Sequence, residues 1–167
     1  RDRIVHHALV NIIEPIFEKI FIFDTYANRK KKSVHAGLKR FDEFKRKVSR
    51  VGELLRDAKD NNKVVGYTLK ADIKHYFDTL NNEILMKIIS KKINDYKVLQ
   101  LIEAVLNNHD FKIQGKGMPL GNLTSQFFAN VYLSELDYYI KHNLKAKYYI
   151  RYVDDFLILD RSKEKLM

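Results

Sequence analysis

The most constraining stretch of the chain is 147–160, KYYIRYVDDFLILD. Two apolar runs rich in aromatic and β-branched residues flank the adjacent acids Asp154 and Asp155, the pattern of a β-hairpin with carboxylates at its turn. Neighbouring carboxylates repel each other, and burial in an apolar hairpin would raise both pKa values. Buried together, they stay ionised only if a cation offsets them, and a hard, oxygen-seeking ion such as Mg²⁺ is the natural choice. A third acid, Asp72, ends the strand-like run 64–72 (VVGYTLKAD). Beside the hairpin turn it would complete a three-acid site able to hold two ions about 3.5–4 Å apart, a clamp suited to phosphoryl or nucleotidyl transfer. The plain alternatives are a solvent-exposed turn at Asp154-Asp155 and a simple strand end at Asp72.

Little else competes as a source of chemistry. The 167 residues include no cysteine, which removes disulfide frameworks, Cys-based zinc sites and thiol catalysis. There is no Gly-rich nucleotide loop, metalloprotease spacing or Ser-His-Asp arrangement, and the six histidines are scattered as packing or surface residues. No apolar run is long enough to cross a bilayer, and no signal-peptide pattern opens the sequence. The net charge of +10 is concentrated: residues 29–50 hold ten Lys/Arg against Asp42 and Glu43. Such an excess is the footprint of a polyanion partner, and the scarcity of flanking membrane anchors favours nucleic acid. A solvated helix face is the alternative.

Periodicity supplies the architecture. A helix is predicted over 4–20, kinked or divided at Pro15, then a loop over 21–33 and a long amphipathic helix over 34–58. After a break at 60–62 come the strand 64–72, helices over 82–93 and 96–107, a glycine-rich turn segment over 111–121, a helix over 122–143 and the hairpin. Helices and strands mix without βαβ alternation, so the expected fold class is α+β.

These blocks, in this order, resemble bacterial reverse transcriptases. YVDD (152–155) is similar to the catalytic hairpin of that family. RIVHHALVNIIEPIFE (3–18) and DTYANRKKKSVHAGL (24–38) resemble its first two fingers blocks. LKADIKHYFDTLNNEIL (69–85) resembles the palm strand with the first catalytic Asp, and GMPLGNLTSQFFANVYLSELD (117–137) the block that contacts template and nucleotide. The resemblance covers nearly the whole chain. Intron-encoded and retroviral-type enzymes usually carry Gln-Gly and Ser-Pro in the last of these blocks. Here Leu120-Gly121 and Ser125-Gln126 stand there, a combination similar to the reverse transcriptases of diversity-generating retroelements, which copy RNA inaccurately at adenines.

The resemblance implies an antiparallel palm sheet packed on helices, with fingers over 1–63 and palm over 64–167, their elements partly interleaved, and no thumb. It implies Asp72, Asp154 and Asp155 as catalytic metal ligands, joined by the Ile73 carbonyl and holding two Mg²⁺ ions, with Mn²⁺ as a substitute. Arg29 and Lys32 would reach the triphosphate, and Phe77 would crowd the 2′ position of the incoming sugar. Leu120 and Gly121 would border the nucleotide, with Gly121 admitting the templating pair where a Cβ would intrude. Pro119, Asn122, Ser125, Gln126 and Tyr152 would contact template or primer, helix capping being an equal explanation of Asn122. Implied partners are an RNA template, a DNA or RNA primer, deoxynucleoside triphosphates and a basic accessory protein of the retroelement, without a membrane. The expected setting is cytoplasmic, in a bacterium or phage-infected cell. Other branches (intron-like, retron, phage-defence) and a non-catalytic nucleic-acid binder on the same fold are the alternatives, the last disfavoured by three intact acids.

Overall fold

The structure, a computed structural model, describes residues 2–50, 66–108, 113–119 and 121–167. It divides into two compact units, each drawn from two stretches of chain: Arg1–Ile22 with Ile73–Tyr138, and Phe23–Asp72 with Tyr139–Met167. The expected boundary between 63 and 64 lies outside the described residues.

The first unit is helical. Helix α1 (Asp2–Glu18) buries Leu9, Val10, Ile13 and Phe17 along one stripe. It runs through Pro15 undivided: the proline removes one backbone donor, and the buried Ile13 and Phe17 on either side hold the helix in register. Short α3 (Tyr76–Thr79) follows, then α4 (Asn82–Ser90), started by Asn81, whose side chain accepts from the Ile84 amide. Helix α5 (Tyr96–Asn107) has the expected bounds because Asp95 caps it, accepting from Lys97 and Val98. Helix α6 (Leu123–Tyr138) packs on α1, with Phe17 edge-on to Phe127 at 5.8 Å and His6 hydrogen-bonded to Thr124 at 2.9 Å. It buries polar Thr124, Ser125, Asn130 and Asp137 beside Phe127, Phe128 and Val131, so it lacks the single apolar stripe that periodicity suggested. The expected continuation to 143 belongs to the second unit and takes the form of a wider π-helical turn over Tyr139–Asn143.

The second unit, among the described residues, is built on a three-stranded antiparallel sheet. Strands β1 (Tyr67–Ala71), β2 (Tyr148–Tyr152) and β3 (Asp155–Asp160) lie in the order β1-β3-β2. Helix α2 (Val34–Val48) starts at the Ser33 cap and packs on β2 and β3 through a core of Tyr26, Phe44, Val48, Ile150 and Leu159. It stops earlier than the predicted 34–58: Ser49 closes it through the Lys45 carbonyl, and Arg50 at φ +55 turns the chain away. Residues 51–58 of that prediction lie outside the described residues. The outer edge of β2 is also occupied, since the Arg151 amide donates to the Asp24 carbonyl at 3.0 Å and the Tyr26 amide to the Arg151 carbonyl at 3.1 Å. A single parallel bridge, Thr25 to Arg151, therefore joins the basic loop to the hairpin.

Candidate active site

Strand pairing gathers the acids. Tyr152 pairs with Asp155, leaving Val153 and Asp154 as a two-residue turn. Ala71 pairs with Phe156, so Asp72, one position further, follows β1 to the end of the sheet where Asp155 begins β3. Side chains alternate across a pleated sheet, so Lys70, Asp72 and Asp155 fall on one face. The pairing of Lys70 Nζ with Asp155 Oδ1 at 3.7 Å agrees with that placement. Tyr152, 43% exposed, ends β2 at the same place.

Two expectations change here. The acids are not buried in an apolar hairpin: Asp72 and Asp155 are exposed and Asp154 is half-buried, because they cap the open end of the sheet rather than line its core. Among the described residues, no group of three or more His, Cys, Asp or Glu is drawn together tightly enough to hold a metal ion. Like charges repel, and Lys70 supplies part of the positive charge that Asp155 requires. The donor set still suits a hard divalent ion: three carboxylates at one end of a sheet, no soft ligand, and an ammonium already attracted to the same face. The remaining expected ligand, the Ile73 carbonyl, accepts the Tyr76 amide at 3.2 Å, which uses one of its two lone pairs.

The basic loop is folded back on itself. Arg29 is half-buried and donates to the Thr25 carbonyl at 3.2 Å and to its hydroxyl at 2.5 Å. Lys32 donates to the Phe23 carbonyl at 2.8 Å and sits 3.3 Å above the Phe23 ring. Both were expected to extend towards phosphate, yet the short loop offers nearer acceptors, and exposed Lys30 and Lys31 stand further out. Beneath them lies a network that sequence reading missed. Buried Asp24 accepts from Arg40 at 2.9 Å and from the Tyr26 hydroxyl at 3.2 Å. Burial and the Asp24 charge push the Tyr26 phenol up to about 12. Asp24 and Arg40 lie sixteen residues apart, a spacing with no local signal.

In the helical unit, two distant blocks meet. Gly117 donates to the Leu80 carbonyl at 2.7 Å and Met118 to the Phe77 carbonyl at 2.8 Å, which puts half-buried Phe77 beside half-buried Pro119's segment. Phe77 leans edge-on against buried Tyr76, whose hydroxyl donates to the Ala129 carbonyl at 3.0 Å. Gly117 is required twice over: its φ is +96, and a Cβ would lie 3.1 Å from the Asp78 carbonyl oxygen and 3.2 Å from that of Phe77. Gly121 stands at φ +85, and a Cβ there would meet no other atom of this chain within 4 Å, which leaves that side open. Leu120 lies outside the described residues. Asn122 accepts from the Gln126 amide at 3.3 Å and so starts α6, lining a pocket with Arg3, His6, His7 and Gly121. Gln126 is half-buried, whereas Ser125, expected at a nucleic-acid surface, is 2% exposed because α6 is buried on that side.

A family model described as "Reverse transcriptase (RNA-dependent DNA polymerase)" matches residues 1–167. An uncharacterised 91 kDa protein in the cob intron of Schizosaccharomyces pombe is 29% identical over 153 residues, covering 89% of this chain and 17% of the yeast protein. Protein YkfC of Escherichia coli is 28% identical, over 84% of this chain and 35% of YkfC. The group II intron-encoded protein LtrA of Lactococcus lactis is 29% identical, over 88% of this chain and 22% of LtrA. The chain thus spans about a third or less of these relatives. Among solved structures, telomerase from Candida albicans in complex with a TWJ fragment of telomeric RNA superposes with a TM-score of 0.61 at 12% identity, over 98% of this chain and 30% of that one. Apo telomerase from Candida tropicalis, truncated from its C-terminal domain, gives 0.58 at 17%, over 98% and 34%. At such identities the likeness is one of fold, and it agrees with the α+β fingers–palm architecture. With every residue inside the family match, the chain belongs to the reverse transcriptase (RNA-dependent DNA polymerase) family.

Proposed function

We propose that this chain is the fingers–palm part of an RNA-directed DNA polymerase, and that the end of its sheet is where nucleotidyl transfer takes place. The observation that carries the reading is the convergence of Asp72, Asp154 and Asp155 on one end of the β1-β3-β2 sheet. Their carboxylates, with the Ile73 carbonyl, are the groups that would hold two Mg²⁺ ions. Bound there, such ions lower the pKa of a primer 3′-hydroxyl and neutralise charge on the triphosphate.

The protein's own groups account for binding and selection. Arg29 would exchange its contacts with Thr25 for phosphate oxygens, to which its planar fork is better matched. Lys32 would do the same on leaving Phe23. Phe77, held by the Met118 amide on its carbonyl, would exclude a 2′-hydroxyl by bulk. Pro119, Asn122 and Gln126 in the helical unit and Tyr152 at the hairpin would face template or primer. Positioning and fixed charge would supply most of the acceleration.

Primer extension by the intact enzyme on an RNA template tests this. DNA should be made with Mg²⁺, stop on chelation and resume on readdition; synthesis that persists in chelator would contradict the reading. The finer assignment, to an error-prone retroelement enzyme, rests on Leu120-Gly121 and Ser125-Gln126, whereas the named relatives include intron-encoded proteins. An apolar leucine cannot make the side-chain hydrogen bonds that a glutamine could make near an incoming nucleotide. Leu120→Gln should therefore lower misincorporation opposite adenine, and an unchanged error rate would remove this reading.

A further inference from the structure

The hairpin carries a charge that the proposed chemistry does not use. Arg151, between Ile150 and Tyr152, is 0% exposed and heads the fully buried side chains in size. A strand packed in a core has no need of a guanidinium, and removing one from water is costly unless acceptors meet it. One of those acceptors is the carbonyl of Val153, 2.9 Å from Arg151 Nη1.

Val153 is the unusual residue of the turn. It is β-branched, yet stands at φ +55, in the left-handed region where such residues are outliers. Conformations of this kind cost roughly 1–3 kcal/mol and persist only when their surroundings over-determine them. By strand alternation the Arg151 side chain leaves the sheet on the face opposite Asp155 and Lys70, and it returns to the turn from behind. Its main chain meanwhile grips Asp24 and Tyr26, at the root of the loop that bears Arg29.

We infer that Arg151 is a positioning residue: its buried guanidinium holds the strained Val153 turn in the shape that presents Asp154 and Asp155, and its main chain anchors the basic loop to that turn. The inference rests on the polymerase reading for the purpose of the turn, though not for the contact itself.

The test uses the intact enzyme with an RNA template, a chain-terminated primer and a matching deoxynucleoside triphosphate. Mn²⁺ binding is read by electron paramagnetic resonance, and the Mg²⁺ dependence of extension is read with an ordinary primer. Arg151→Lys keeps the charge and loses the fork, and should weaken Mn²⁺ binding and raise the half-saturating Mg²⁺ by about tenfold or more, as loss of an outer-shell support does. Primer–template affinity should stay within about twofold. Ile150→Val, which trims the neighbouring core position, should lower the melting temperature and leave both metal titrations in place. Parental metal titrations in Arg151→Lys, or an equal shift in Ile150→Val, would overturn the inference. Should Arg151→Lys fail to fold, Val153→Gly loosens the same turn from the other side; it should show the same metal shift, and its absence would be equally decisive. A parent enzyme that binds Mn²⁺ but never extends a primer would sink the polymerase reading, while the Mn²⁺ titrations would still judge Arg151.

Discussion

Two of the turns that take up left-handed backbone in this molecule do so by opposite means. In the helical unit, among the described residues of the segment 115–121, glycine stands at each such position, with φ of +72 at Gly115, +96 at Gly117 and +85 at Gly121. Glycine adopts these angles without steric cost, and at Gly117 it also leaves room for two carbonyl oxygens. In the sheet unit the hairpin turn puts a valine at φ +55 and recruits a buried arginine to hold it. The first turn solves a folding problem: it docks residues 117 and 118 onto Leu80 and Phe77. The second accepts strain, at the place where the acids are displayed. A cheap turn needs only its own residue, whereas a strained one depends on partners remote from it, here Arg151 and, through the strand edge, Asp24 and Tyr26.

The contrast can be broken at four positions. Val153→Gly relieves the strain, so the protein should melt no lower than the parent while extension slows by about tenfold, the loss expected when an outer-shell support fails. Lower stability with full activity would mean the valine serves packing. Gly117→Ala meets both the φ penalty and the two carbonyls, and should destabilise by about 2 kcal/mol or more in chemical denaturation. Gly121→Ala meets the φ penalty alone and should cost about 1 kcal/mol. Equal losses at 117 and 121 would show that the docking contacts are unimportant. The smallest effect belongs to Tyr26. Its phenol is pushed up to about 12 by burial and by Asp24, from an ordinary tyrosine value of about 10, so the folded state keeps a proton that the unfolded state sheds. That contribution is present below pH 10 and disappears as pH rises from 10 to 12. Between those values the parent's melting temperature should fall more steeply than that of Tyr26→Phe; parallel curves would show that the phenol carries no linkage.

Much of this was legible in the residues, for identifiable reasons. The hairpin showed because apolar runs of strand length bracket two acids, and α5 because Asp95 caps a regular stripe. Helix α3 was missed, since four residues following a left-handed His75 contain no period to read. The choice between buried and exposed acids is not legible from their apolar flanks, because a sheet end is open even when its middle is covered. The inward folding of Arg29 and Lys32 depends on nearby carbonyls and a ring that only the folded loop supplies. Arg151 did leave a trace, a lone charge in YYIRYV (148–153), but the partner two residues on is a main-chain carbonyl without a sequence signature.

The measurement closest to the central claim is primer extension by Asp154→Asn in the intact enzyme, read beside template binding. The substitution keeps the shape of the side chain and removes the charge, at a position worth several kcal/mol if it supports metal-assisted transfer. Extension should fall by about 10³-fold or more while primer–template affinity is retained. Extension at the parental rate would contradict the assignment of the hairpin turn as the catalytic centre.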